Sequence, residues 1–529
     1  MRVRESASIS ISWADSAGYN PRDMANHLFA TKPLSELLEE MHGDNRLRRV
    51  LGPVQLTSLG VGAIIGAGIF VATGAAAHNV AGPSLMVSYV VAGVTCIFAA
   101  LCYAEFASMA PVAGSAYTYA YATLGELFAW IIGWDLILEY AVGAATVANG
   151  WSGYFQSVLA KFGVHLPAAL SGPPIVYEAA TGNFIRTAGI INLPAVLIVA
   201  IITAVLVKGI QESAGFNTLM VFLKLVVVLF VIFVGAFYIN PQNWHPFAPF
   251  GMTGVSFFGY PIAGQTDAGG QPVGMLAGAA IIFFAYIGFD SVSTHAEEAR
   301  RPSRDVPIGI IASLVICTVL YIAVVAVLTG MVPYSKLSID AGVSDAFKQA
   351  GLPWAELIIA SAGVAGITSV LLVLMLSAPR VFLAMARDGM VPRHFFGDVH
   401  PRFKTPWRST ILIGTFVALL TGFLPLDALL HLTNIGTLLA FVIVCAAVLI
   451  MRKTNPDAER PFRAPFYPLV PILGIVTCLL LMFSLPAANW YRLVVWMLIG
   501  LVIYFSYGYR HSLLAIRMRQ AAADRTRRR

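Results

Sequence analysis

From Val54 to Ser512 the chain alternates between long apolar runs and short polar connectors. A helix needs about 20 apolar residues to cross the hydrocarbon core of a bilayer. The pattern predicts twelve such spans, at 54–78, 82–108, 124–153, 187–209, 215–240, 275–293, 306–332, 353–386, 409–424, 428–451, 468–486 and 490–513. Most are apolar all round, as expected of helices that face lipid and one another. The short alternating segments of a membrane barrel are missing. The fold expected is therefore an all-α polytopic membrane protein.

Composition narrows this further. Hydrophobic residues make up 58% of the 529 and charged residues only 12%, with mean hydropathy +0.76, which leaves little room for a sizeable soluble domain. Of the 34 Lys and Arg residues, 28 fall in the two termini and the connectors on their side, five in the opposite connectors, and Lys224 alone inside a span. By the positive-inside rule that side is cytoplasmic, and an even number of spans puts both termini there. The basic pI of about 9.1 then reflects topology and calls for no nucleic acid, although the basic side can attract anionic lipid headgroups.

Residues 1–53 are predicted to form a cytoplasmic N-terminal segment. They contain no secretory-signal core, and PLSELLEEMHG reads as a short helix before the first span. Residues 514–529 form a basic cytoplasmic tail. The five cysteines all lie in hydrophobic runs without metal or redox spacing, and the histidines are scattered, so no metal site and no cofactor is expected.

Two spans are unusual. The first contains GAIIGAGIFV, with Gly62, Gly66 and Gly68 close together. Gly66 lies about 12 residues into the span, roughly 18 Å deep and near the bilayer midplane. The sixth contains FFAYIGFDSVSTH, where Gly288 sits among aromatics before Asp290. Glycines can serve close helix packing alone. A backbone interruption at midplane depth, however, survives only where it is buried in protein or lines a cavity. Paired interruptions at matching places in two halves point to the binding site of an inverted-repeat transporter. The halves would be 54–240 (spans one to five) and 241–452 (six to ten), with 453–513 adding two further helices.

The runs LRRVLGPVQLTSLGVGAIIGAGIFVATG, YAEFASMAPVAGSAYTYAYATLGELFAWIIGWDLILEYAVG, FFAYIGFDSVSTHAEEARRPSRDVPIGI and PRVFLAMARDGMVP resemble the amino acid-polyamine-organocation (APC) superfamily. Within it they look most like bacterial members of the cationic amino acid transporter (CAT) family. The resemblance implies the LeuT-like fold, two inverted five-helix repeats plus two helices with spans one and six discontinuous. It also implies alternating-access amino acid transport in a bacterial cytoplasmic membrane.

It further implies a site. The substrate carboxylate would meet the backbone of Gly66, Ala67, Gly68 and Ile69, where a half-helix begins and offers free N–H groups. The ammonium would meet carbonyls around Ile64, Ile65, Phe283, Phe284 and Ala285. The family's aromatic gate matches Phe284, with Tyr286 and Gly288 in the same break. Aromatic core packing is the competing reading of these rings.

Lys224 is alone in the fifth span, about nine residues in. An ionisable group at that depth is a functional candidate by default. In proton-coupled relatives a lysine at the matching place occupies the position of a sodium ion, which assigns Lys224 to coupling. Its expected partners are first-span carbonyls and the hydroxyls of Thr368 and Ser369. Glu139 in the third span, with Asp135 one turn before it, could relay protons, bind a cationic side chain or cap a polar network. Asp135 is expected near the interface. Leu372 and Val373 would line the side-chain end of the pocket.

Together these features predict import of small or medium neutral L-amino acids by proton symport. Cationic substrates and obligate exchange are the alternatives. A channel would need continuous polar access, a sensor would need a signalling domain, and an enzyme would need a nucleophile–base pair or metal ligands. The partners implied are an amino acid, protons and the bilayer, with a small accessory membrane subunit left open.

Overall fold

The computed structural model describes residues 28–32, 51–66, 68–109, 115–178, 183–209, 214–258, 260–339, 341–403, 405–518 and 520. The short helix expected within 33–43 and the last nine residues of the basic tail lie outside the described residues.

The described chain is mostly helix. In order, α1 is Pro53–Ile64, α2 Leu85–Met109, α3 Ser115–Thr123, α4 Glu126–Lys161, α5 Leu193–Lys208, α6 Ala214–Ala236 and α7 Met275–Ile282. There follow α8 Pro302–Met331, α9 Gly342–Gln349, α10 Pro353–Arg387, α11 Trp407–Phe423, α12 Leu426–Thr454, α13 Leu469–Met482 and α14 Ala487–Ile503. Among the described residues, seven helical stretches are long and apolar enough to cross a membrane, one of them the broken run Pro53–Met109, and four shorter apolar helices accompany them. The protein is thus a multi-pass membrane protein.

The strictly all-α expectation needs one correction. Among the described residues, three antiparallel hairpins occupy the connectors: β1 Ile175–Glu178 with β2 Asn183–Arg186, β3 Val255–Phe257 with β4 Tyr260–Ala263, and β5 Gln265–Thr266 with β6 Pro272–Val273. Outside the hydrocarbon core a two-stranded ribbon can leave its outer edges to water, which no spanning element can do. Tyr260 and Ile262, 79% and 65% exposed, show how open that second hairpin is.

Packing follows a regular scheme. Helix α8 runs along both α1 and α2, α10 along α4, and α11 along α5. Small residues allow these close approaches, as at Gly363 of α10, where a Cβ would lie 2.7 Å from the Tyr154 ring of α4. Ahead of α1, Leu51 pairs with the segment that follows the second break. Its N–H donates to Glu298 O (3.0 Å), and Arg300 N–H donates back to Leu51 O (2.8 Å).

Candidate functional site

Both predicted interruptions are present. Helix α1 ends at Ile64, Ile65 is extended at φ −73° and ψ 102°, and helical structure resumes at Gly68. Ala67 lies outside the described residues. In the second break, α7 tightens to a 3₁₀ turn over Phe283–Tyr286, and Gly288 turns the chain at φ +117°, a value that disfavours any side chain. A four-residue helix, Ser291–Thr294, follows.

The two breaks touch. Gly68 abuts the backbone of Ala285 so closely that no Cβ would fit, and a Cβ on Gly288 would lie 3.0 Å from Ala63. Gly66 faces Val370 of α10, whose Cγ2 would be 2.5 Å from a Cβ there. Gly68 and Gly288 are required for contact between the two backbones. Ile69 is buried beside them at 1% exposure.

A break frees carbonyls that a continuous helix would satisfy, and side chains from other helices take them up. Lys224 Nζ donates to Gly62 O (2.7 Å) and to Ile65 O (3.1 Å). The Tyr321 hydroxyl of α8 lies 2.7 Å from Ile64 O and 3.1 Å from Ala285 O, so one residue serves both breaks. Asn434 of α12 donates to Ala280 O and Ile281 O, both at 2.8 Å, and so caps α7. Asp290 accepts from Gly288 N–H (3.2 Å) and from the Tyr140 hydroxyl of α4 (2.7 Å).

The expected first-span partners of Lys224 are therefore in place. The expected hydroxyls are engaged elsewhere: Thr368 donates to Val364 O and accepts from Trp151 Nε1, and Ser369 donates to Gly366 O. Hydroxyls in a helix reach the carbonyls of their own preceding turn most easily. Gly366 is the α10 residue beside the lysine stem, where a Cβ would lie 3.4 Å from Lys224 Cγ.

The carbonyls expected to meet the ammonium also have partners: Ile64 and Ala285 share Tyr321, Ile65 takes Lys224, and Phe284 takes Ile287 N–H. Each carbonyl oxygen retains a second lone pair for a ligand. Phe283 packs against Phe441, and Tyr286 turns away to donate to Tyr89 O (2.8 Å). Phe284, 5% exposed, points its ring towards Gly143 of α4. The α10 side chains against Gly66 and Gly143 are Val370 and Leu374, while Leu372 and Val373 are half-buried neighbours on that helix.

Glu139 is 3% exposed, and neither carboxyl oxygen has a hydrogen-bond partner among the described residues. Asp135 is buried as well, at 2%, where the sequence suggested an interfacial place. The two acids, Thr433, Gly436 and Arg492 line a cavity of about 10 Å³, room for about one water. Sequence reasoning did not select Tyr321, Tyr140 or Asn434, and it noted Asp290 only as the end of the sixth-span motif. An inward-facing polar residue in an apolar span was the available signal.

Residues 51–505 match the family model described as "Amino acid permease". The branched-chain amino acid permease BcaP of Bacillus subtilis (strain 168) is 47% identical over 93% of this chain and 100% of that protein. The methylthioribose transporter of the same organism is 46% identical over 92% and 99%. The vacuolar cationic amino acid transporter 4 of Arabidopsis thaliana is 37% identical over 78% of this chain and 65% of its own length. A match across almost the whole membrane region, with relatives named as transporters at this identity, shows that the chain belongs to the amino acid permease family of the APC superfamily and is a transporter.

Proposed function

We propose that this permease imports neutral L-amino acids together with protons by alternating access. In this reading it has twelve spans, the run Pro53–Met109 counting as two, and both termini on the basic, cytoplasmic side. The helix pairing supports an inverted repeat: α2 with α8, α4 with α10 and α5 with α11 are each counterparts five spans apart.

One observation carries the coupling assignment. Lys224 Nζ holds Gly62 O and Ile65 O at the break that would bind the substrate. A change in its protonation changes the number of donors available there, and so the geometry offered to a ligand. Ala67, Gly68 and Ile69 would hold the substrate carboxylate and the surrounding carbonyls its ammonium. Glu139 and its small cavity would be the second proton-accepting position on the pathway.

The name of BcaP, a branched-chain amino acid permease, favours an apolar amino acid. A second reading has a specific basis: the chain is equally close to a protein named for methylthioribose, a thioether sugar without a zwitterionic head. Uptake into proteoliposomes separates these readings, using radiolabelled leucine, alanine, lysine and methylthioribose with and without an inward proton gradient, for the native chain and Lys224→Ala. Gradient-driven accumulation of a neutral amino acid, lost in the variant while exchange persists, is the expected result. Gradient-independent uptake that requires internal amino acid makes the protein an exchanger, and uptake of methylthioribose alone overturns the amino acid assignment.

A further inference from the structure

Helix α14 meets α4 through a set of tryptophans. The Trp134 and Trp496 rings stack with centroids 4.4 Å apart, and each donates to the other's carbonyl: Trp134 Nε1 to Trp496 O (2.9 Å) and Trp496 Nε1 to Trp134 O (3.2 Å). One turn further on, Trp130 Nε1 donates to Gly500 O (2.9 Å). With each indole N–H satisfied in apolar surroundings, the spacing of the two helices is fixed. Beside this contact they leave an apolar groove of about 280 Å³, open to the outside and lined by Leu138, Tyr491, Arg492, Val495, Trp496 and Ile499.

The groove belongs to the surface that lipid covers. Tyr491, Val495 and Ile499 are exposed, four residues apart on one stripe of α14, and so are Val494, Leu498 and Val502 beside them. Lipid tails are as apolar as these side chains, so nothing drives α14 to close the groove. Water would find too few polar partners in it. An acyl chain needs none.

The one charged group in the lining gives the groove a direction. Arg492 is the sixth residue of α14, about 8 Å from the start of the helix at about 1.5 Å per residue. An arginine at this depth directs its head towards the interface, and its planar fork matches a phosphate. Val495, Trp496 and Ile499 follow deeper along the helix. A cation at the shallow end with an apolar slot beneath it reproduces the order of phosphate and chain in a membrane lipid. Leu138 and Arg492 also line the small cavity of Asp135 and Glu139, so these two side chains are the wall between the buried acids and the groove.

We infer that the groove between α4 and α14 is a binding site for one phospholipid, with the phosphodiester on Arg492 and an acyl chain against Leu138, Val495, Trp496 and Ile499. The lipid covers the outer side of the wall that closes the acid cavity.

The test is thermal stabilisation of the delipidated chain in detergent, titrated with phosphatidylglycerol and, in parallel, with diacylglycerol carrying the same chains but no phosphate. The native chain should bind phosphatidylglycerol about tenfold or more tightly than diacylglycerol, the difference one charge-assisted contact makes. Arg492→Gln should erase that preference. Val495→Trp, which fills the slot, should remove stabilisation by either lipid, while Val502→Trp, on the exposed face outside the groove, should behave as the native chain. Should Arg492→Gln not fold, the comparison of Val495→Trp with Val502→Trp decides the matter. A native chain that phosphatidylglycerol does not stabilise overturns the inference, as does equal stabilisation of the native and Val495→Trp chains, or a preference for the phosphate that survives in Arg492→Gln. A native dimer that Val495→Trp separates overturns it as well, because a second copy of the chain would then cover the groove.

Discussion

Lys224 stands in for a missing backbone donor of Gly62, with its Nζ 2.7 Å from a carbonyl oxygen that a continuous helix would pair with the N–H four residues on. A side chain from α6 thereby completes the hydrogen bonding of α1, and the stability of the break depends on a residue far away in sequence.

Lys224→Met keeps the stem and removes the donor. Two buried carbonyls lose their partner, each worth about 1–3 kcal/mol when left unsatisfied. The purified variant should melt measurably below the native chain by tryptophan fluorescence. Equal melting temperatures would show that other groups satisfy Gly62 O and Ile65 O.

Gly68→Ala forces the two breaks apart, because the new methyl overlaps the Ala285 backbone. Substrate affinity should fall at least tenfold by equilibrium binding, equivalent to about 1.4 kcal/mol. Gly163→Ala, at a position with open space around it but a φ of +75°, provides a comparison in which only backbone strain is added. Its affinity should stay close to native.

Tyr140→Phe deletes the hydroxyl that donates to Asp290 Oδ2 and leaves that buried carboxyl with the Gly288 N–H. Destabilisation of about 1–3 kcal/mol is expected, together with slower transport, since Asp290 fixes the turn at Gly288. Chemical denaturation in detergent and initial uptake rates measure the two effects.

Arg452 binds Glu105 through Nε (2.9 Å) and Nη2 (2.5 Å), and neither residue hydrogen-bonds the carbonyls of the breaks described above. Lysine cannot reproduce a two-point contact. Arg452→Lys should lower thermal stability while the KM for substrate stays within about twofold, a split that uptake kinetics and melting together resolve.

What was legible in the sequence was whatever leaves a local mark. Gly66, Gly68 and Gly288 interrupt otherwise apolar runs, and Lys224 is a lone charge inside one. Its carbonyl partners were expected through the resemblance, in which a lysine takes the place of a sodium ion, and they are in place. Its supposed hydroxyl partners did not hold, because Thr368 and Ser369 bond to the preceding turn of their own helix. Tyr140 and Asp290 are 150 residues apart, and Asn434 reaches back 154 to Ala280. Nothing near either residue announces such a pairing.

The long sequence separations within the first break bear on how the chain is made. When the ribosome has finished Gly62, another 162 residues must be synthesised before Lys224 exists to occupy its carbonyl, and Tyr321 comes 257 residues after Ile64. During that interval the interrupted helix cannot rest in lipid with bare carbonyls. It has to wait in a hydrated place, at the insertion machinery or beside other early helices, until α6 and α8 arrive. Shortened chains that stop before α8 should accordingly be recognised as unfinished and degraded.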